Sequence, residues 1–344
     1  MQREKVKQLK KMSPENRDLL LQLLERHRAL GIAEQIDYDK FYLYSIIVHS
    51  TAIEGSTVTE VEAQLLFDEG ITSSKRTLLE QQMNLDLKVA YEYGREWTKL
   101  HQPLTIDWLI LLASKVMART GSEYSAMGGN FSASKGELRK LNVSAGIGGK
   151  SYMSYLKVPE RLAAFCEELN NRRKAIDTTD VCAVYDLSFW AHYELVAIHP
   201  WADGNGRTSR LLMNLLQMEF GVLPTKVLKE DKATYIQALI DTREKEDITI
   251  FQNCMACLHI QHLKNDIDQY LYSTTDTTQK TLTTTQKAIL DYLKEHPKAT
   301  RQEVAESLDN ITENGIKYHF NRLQKMGYLK REGGRKLGHW VVAD

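Results

Sequence analysis

Residues 186–221 read DLSFWAHYELVAIHPWADGNGRTSRLLMNLLQMEFG, and their pattern predicts two helices joined by a short loop. DLSFWAHYELVAI and RTSRLLMNLLQMEF both place apolar residues at three- and four-residue spacing, and Gly221 closes the second run. His199 to Asn205 are therefore the turn. The first N–H groups of a helix have no partner within it and the dipole there is positive. Gly204 and Gly206 let the main chain approach a ligand, so Gly-Asn-Gly is suited to hold an anion such as phosphate. Arg207 and Arg210 are three residues apart and share a face, where two guanidinium groups can grip consecutive phosphates. Asp203 is a hard oxygen ligand suited to Mg²⁺. His199 is the loop's single imidazole, able to accept a proton at neutral pH. Gly-Asn-Gly alone would read as a plain connection with solvated arginines beside it. A base, a metal ligand and a phosphate cradle within residues 199–210 make it a candidate active site.

Working outward, Ser13-Pro14-Glu15 followed by LLLQLLERHRAL and Gly31 predicts a first helix, with a cap, a proline at its first position and a glycine stop. Helical spacing recurs over 39–54, 58–69, 75–99, 105–118, 158–173 and 179–197, and period-two alternation is scarce before residue 280. The fold class is mainly α. The exception is 128–157, where glycines and serines separate LNVSA from SYMSYL and predict a long loop with a small β-hairpin. STTDTTQKTLTTT, residues 273–285, is polar and aperiodic and reads as a linker. Beyond it, helices over 284–296, 301–308 and 313–326 and two short strands around a Gly-Gly turn predict a winged helix-turn-helix. The expected organisation is a helical region over 1–100, a core over 101–272, the linker, and the winged helix over 286–344.

The chain has 344 residues, 42% apolar and 26% charged, with 45 basic and 45 acidic side chains. Such a composition supports a packed core, and zero net charge gives no whole-molecule attraction to nucleic acid or membrane. No stretch approaches a membrane span or a leader's apolar region, and four cysteines do not make a disulfide framework, so the expectation is a cytoplasmic protein without a membrane partner.

HPWADGNGRTSR resembles the motif of the Fic family, His-Pro-x-x-[Asp/Glu]-Gly-Asn-Gly-Arg-x-x-Arg, with Trp201 where phenylalanine is commoner. The resemblance implies a Fic-type helical bundle that transfers AMP from ATP to a hydroxyl side chain of a target protein. It implies His199 as general base and Asp203 as the Mg²⁺ ligand. Asn205 and the neighbouring amides of Gly204 and Gly206 would hold the α-phosphate, with Arg207 and Arg210 on the β- and γ-phosphates. Ser50-Thr51-Ala52-Ile53-Glu54-Gly55 is similar to the family's inhibitory pattern, [Ser/Thr]-x-x-x-Glu-[Gly/Asn]. It puts a carboxylate in the last turn of a helix, where the dipole disfavours it. That similarity implies a Glu54–Arg210 contact that blocks the γ-phosphate and places the chain in the subclass inhibited by an N-terminal helix. Tyr235 in ATYIQAL stands where the family often has a tyrosine against the nucleotide, a place also compatible with the core. Residues 143–157 correspond in order to the family's flap, which holds a target segment by strand addition; its usual proline pair is reduced here to Pro159.

Other signals are set aside. Gly148-Gly149-Lys150-Ser151 lacks the first glycine of a P-loop, since Ser144 stands there, and reads as a turn. Cys254, Cys257, His259 and His262 on one helix do not converge tetrahedrally and read as buried thiols with surface histidines. In the last helix Ile316, Phe320 and Leu323 face a small core. Lys317, Asn321, Arg322 and Lys325 face outward, and the net charge from residue 313 onward is plus four. That surface suits DNA, although winged helices also dock proteins. Two other functions stay open: removal of AMP with Glu54 activating water, and nucleotide sensing by a DNA-binding regulator. Self-modification and homodimerisation stay open as well.

Overall fold

Helix α1 (Pro14–Ala29) starts on the Ser13 hydroxyl, which accepts from Asn16 N, and ends before Gly31, which turns the chain at φ 63°. The computed structural model describes residues 11–145, 149–276, 282, 284–308, 313–325, 327–333 and 338–343. After α1 come α2 (Tyr38–Ile53), α3 (Glu60–Glu69), α4 (Leu78–Leu100) and α5 (Ile106–Val116). Thr59 with Glu62 and Thr77 with Glu80 form capping boxes that set the starts of α3 and α4. Strands β1 (Glu123–Tyr124) and β2 (Phe131–Ser132) pair antiparallel, Tyr124 opposite Phe131. Helices α6 (Val158–Ala175), α7 (Val181–Ile198), α8 (Asn205–Glu219), α9 (Lys232–Lys245) and α10 (Ile248–Asp276) complete the body.

The α7–α8 pair is central because both helices are buried on more than one face. Leu212 and Leu216 of α8 join a cluster with Phe165, Leu195 and Trp201. The neighbouring Leu211 and Leu215 join a second cluster with Ile47, Leu87 and Leu112. A further stripe, Arg207, Arg210, Asn214 and Gln217, is polar and equally buried. Buried polar groups must be paired. Asn214 is held by Tyr91 and the Thr225 carbonyl, Gln217 by Ser188 and Thr225. The stripe thereby pins α4, α7 and the segment after α8.

The chain divides into two compact units between Ile267 and Asp268, inside α10. The segment expected as an N-terminal region belongs to the same unit as the core. Arg17 of α1 pairs with Asp180 and Asp186, and Asp186 also accepts from Met12 N. The expected linker is partly helical, since α10 runs to Asp276 and α11 (Thr284–Glu295) starts before its end; residues 277–281 and 283 lie outside the described residues.

The second unit continues with α12 (Arg301–Ser307), α13 (Glu313–Lys325), β3 (Leu329–Glu332) and β4 (His339–Val342), the strands antiparallel. Ile316, Phe320 and Leu323 are fully buried, as their spacing predicts, and Trp340 meets Phe320 edge-on at 4.7 Å. Lys317 and Asn321 are exposed, while the side chains of Arg322 and Lys325 lie outside the described residues.

Two sequence expectations need correction. The hairpin in 143–157 is one bridge, Ser144 to Ser151, flanked by Tyr152 N to Val143 O and Ala145 N to Lys150 O. Residues 146–148, and with them Gly148 of the expected turn, lie outside the described residues, and the two-residue β1–β2 pair was not anticipated. Burial on α10 is the reverse of that expected: His259 and His262 are buried, Cys254 half-buried and Cys257 exposed. The polar tips explain it, since His259 meets the Tyr185 hydroxyl at 3.0 Å and His262 the Asp231 carboxylate at 2.9 Å. Among the described residues no helix is long and apolar enough to cross a membrane.

Gly136 tests the packing under the central loop. It adopts φ +68°, a Cβ there would overlap the Ile110 carbonyl, and its own carbonyl accepts from Trp201 Nε1 at 2.9 Å. Gly136→Ala is expected to lower the unfolding free energy by about 2–4 kcal/mol in urea titrations, left-handed strain and overpacking adding.

Candidate functional site

The loop between α7 and α8 is held from inside. Trp201 is 1% exposed and anchored by its indole N–H, while its main-chain N–H donates to Asn205 Oδ1 and its carbonyl accepts from Asn205 Nδ2, at 3.1 and 2.9 Å. The Asn205 carboxamide is bonded at both ends to the loop, so its main-chain N–H and the second Nδ2 hydrogen are what it has to offer a phosphate. The first helical bond of α8 is Thr208 N to Gly204 O at 2.9 Å. The N–H groups of Asn205, Gly206 and Arg207 precede it and point along the helix start, the arrangement that binds anions.

His199 caps α7 in the left-handed region, φ 51° and ψ 62°, directly before Pro200. A non-glycine residue there costs on the order of 1–3 kcal/mol and persists only where its surroundings enforce it. The ring lies flat on Tyr152, centroids 3.8 Å apart and planes 17° apart. Nδ1 is 3.3 Å from the Val196 carbonyl, which can only accept, so Nδ1 carries the proton and Nε2 keeps its lone pair. Burial, aided by the Arg139 charge, pulls the imidazole down to about 4 against the Val196, Asp203 and Glu54 contributions. It is neutral at ordinary pH and able to act as a base.

Arg210 is 3% exposed; its Nε donates to Ser50 Oγ at 2.9 Å and its Nη2 to Ser50 O and Glu54 Oε1 at 3.0 and 2.6 Å. The Glu54–Arg210 pairing implied by the sequence is therefore present. Burial raises the Glu54 carboxyl, but the Arg210 charge and hydrogen bond, helped by Arg207 and Lys232, outweigh it and leave it below its ordinary value. A Cβ on Gly206 would stand 2.7 Å from Glu54 Oε1, so the carboxylate sits directly against the helix start. Arg207 differs from Arg210. It is 3% exposed, its one hydrogen bond among the described residues is to Asp203 at 3.4 Å, and its Nε and Nη1 are buried without a partner there. Two unsatisfied N–H-bearing atoms of a buried cation beside an amide cradle fit phosphate oxygens.

Asp203 suits the Mg²⁺ role in chemistry. Its side chain is 55% exposed, and Oδ1 accepts from Gly204 N at 2.5 Å and from Arg207. Among the described residues no cluster of three metal-ligating side chains occurs. Mg²⁺ needs none, since one carboxylate, waters and substrate phosphates complete its shell. Tyr235 takes the core position that its sequence also allowed. Its ring is 1% exposed and its hydroxyl lies between His192 Nε2 at 2.9 Å and Arg210 Nη1 at 3.5 Å. It supports Arg210 from below and offers no open face to a base. A groove of about 1000 Å³ between α1, α2 and residues 218–224 contains none of the loop residues in its walls.

Sequence reasoning missed Arg139, whose guanidinium is buried on main-chain carbonyls including that of His199, and Tyr152. In GELRK an arginine reads as a surface charge, and only the fold shows otherwise.

The turn of this helix hairpin carries an imidazole and an amide cradle, and the helix that follows carries two buried arginines. Residues 103–217 match the Fic/DOC family and residues 282–330 match a winged helix-turn-helix DNA-binding family. The chain thus carries a Fic domain followed by a winged helix-turn-helix. It is 28% identical over 204 residues to the protein adenylyltransferase fic-1 of Caenorhabditis briggsae, covering 58% of this chain and 36% of that one. It is 27% identical over 266 residues to the protein adenylyltransferase Fic of Drosophila grimshawi, covering 77% and 50%. The chain spans about half the length, or less, of these relatives. A Fic family protein of Desulfovibrio desulfuricans shares the fold with a TM-score of 0.60 at 18% identity, covering 97% of this chain and 98% of that one. A Fic domain containing signaling protein of Bacteroides thetaiotaomicron does so at 0.60 and 22%, covering 73% and 96%.

The depressed His199 gives a pH signature. A histidine that resists protonation when folded contributes stability that is complete above its ordinary value of 6.5 and lost as pH falls toward 4. His199→Gln is expected to make urea midpoints fall less steeply between about pH 7 and about pH 5, and the His199 ring resonance to titrate near 4.

Proposed function

We propose that the chain transfers AMP from ATP to a Ser, Thr or Tyr hydroxyl of a protein, and that Glu54 holds the resting state off. The observation that carries this reading is a neutral imidazole beside an amide cradle, with Arg207 Nε and Nη1 unpartnered and Arg210 taken by Glu54. His199 Nε2 takes the hydroxyl proton as the oxygen attacks the α-phosphorus. The bond from that phosphorus to pyrophosphate breaks, and pyrophosphate leaves. The N–H groups at the start of α8 hold α-phosphoryl oxygens, where preorganised donors contribute most. Arg207 and, once released, Arg210 hold the leaving phosphates. Asp203 would hold Mg²⁺, which when bound supplies neutralisation of phosphate charge. The named relatives support the reaction class; ATP, Mg²⁺, the protein target and the inhibition belong to the proposal.

Label from α-labelled ATP is the test. Glu54→Gly is expected to raise incorporation into protein by about tenfold or more by freeing the buried guanidinium. Adding His199→Ala is expected to remove about 10²–10⁴ of it. Bound ATP without label in any variant overturns transfer and favours AMP removal with Glu54 activating water.

For the C-terminal unit we propose DNA binding, supported by the family match and by exposed Lys317, Lys330 and Arg331. Duplex affinity is expected to fall with salt, and Lys317→Ala and Lys330→Ala each to reduce the log–log slope by about 0.9. A flat salt response means a protein-docking module instead.

A further inference from the structure

Arg139 is 2% exposed and, among the described residues, pairs with no carboxylate. Its guanidinium donates in three directions, Nε to His199 O at 2.7 Å, Nη1 to Leu141 O at 2.8 Å and Nη2 to Met153 O at 2.7 Å. Its own main-chain N–H donates to Pro200 O at 2.9 Å. One residue thus holds two successive carbonyls of the catalytic loop, one carbonyl just before the flap and one in its second arm.

The flap arms meet just beyond those anchors. Tyr152 N donates to Val143 O at 2.9 Å, and the Tyr152 ring lies on His199. From the outer side Arg243 donates to Ser151 O at 2.8 Å and covers the Tyr152 ring at 5.5 Å. The imidazole is therefore fixed twice, through its face by Tyr152 and through its carbonyl by Arg139. The left-handed backbone at His199 needs such enforcement, because nothing in a His-Pro dipeptide favours it. A planar fork with five donors reaches three divergent carbonyls at once, and an ammonium group on a longer tether does not match that geometry.

We propose that Arg139 is a positioning residue that couples the described flap residues 143–145 and 149–153 to the His199 peptide, so that seating a target segment on the flap aligns the base. This deepens the transfer reading and rests on it for its catalytic half. The nucleotide cradle is outside this coupling, since Asn205, Arg207 and Arg210 make no contact with Arg139 in the hydrogen bonds described. The two can be separated by experiment.

In a Glu54→Gly background, Arg139→Lys is expected to lower kcat by about 10- to 100-fold while KM for ATP stays within about twofold. By hydrogen exchange the Tyr152 amide is expected to open at least about tenfold more often, and the Thr208 amide, at the cradle, to be unchanged. An unchanged kcat, a loss that appears equally in KM for ATP, or a Thr208 amide that loosens with Tyr152 overturns the proposal. If the Glu54→Gly parent transfers no label, the transfer reading fails, and the exchange pattern alone decides the coupling. A variant that does not fold is bypassed in the unmodified chain. There the Arg139 and Tyr152 amides are expected to share one urea dependence of exchange, and separate openings overturn it.

Discussion

A helix buried on every side cannot carry two guanidinium groups unless its neighbours supply acceptors, and α8 carries them on a stripe that continues through Asn214 and Gln217. Satisfying that stripe recruits Tyr91 from α4, Ser188 from α7, Thr225 from the following segment, and Ser50 with Glu54 from the end of α2. The apolar faces of the same helix bind the two main clusters. The central hydrogen-bond network and the central core are therefore arranged around one element. Its N-terminus is where the phosphate chemistry is proposed.

The same rule separates the two arginines. Arg210 is satisfied by Ser50, Glu54 and Tyr235, with His192 completing the chain beneath. Arg207 is left with a single long contact. Unpartnered hydroxyls such as those of Thr208 and Ser209 cost less than a charge, but the two unpartnered nitrogens of a buried cation suit a ligand anion. The carboxylate that answers Arg210 also lies against the helix start, so one ion pair joins α2 to α8 beside the cradle. Removal of one partner exposes the other in a buried setting, which makes the contact strong against water but exchangeable for phosphate.

Legibility in the sequence followed sequence distance. Helices with strong spacing and caps were readable, including α1, α4 and the three helices of the C-terminal unit. The loop residues 199–210 were readable because their spacing already places them together. The Glu54–Arg210 contact spans 156 positions and was reachable only through a family resemblance. His259 and His262 were misassigned for one reason: each is a polar side chain whose partner lies far along the chain, so its type did not reveal its burial. Arg139 was invisible because a lone arginine in a charged stretch ordinarily faces solvent. The first turn of the expected linker is helical because α10 continues into it despite its threonines.

Because Glu54 and Arg210 belong to one chain, their pairing has no concentration dependence. Under the proposed inhibition the carboxylate is a tethered competitor with a fixed effective concentration. A nucleotide that needs Arg210 binds with its intrinsic affinity reduced by the fraction of molecules in which Glu54 has withdrawn. A ligand indifferent to Arg210 escapes that reduction. Under the proposed reaction, the number of phosphates a nucleotide carries then decides how strongly it feels the tether. Dilution, overexpression or self-association leaves that discrimination intact unless it moves α2 itself.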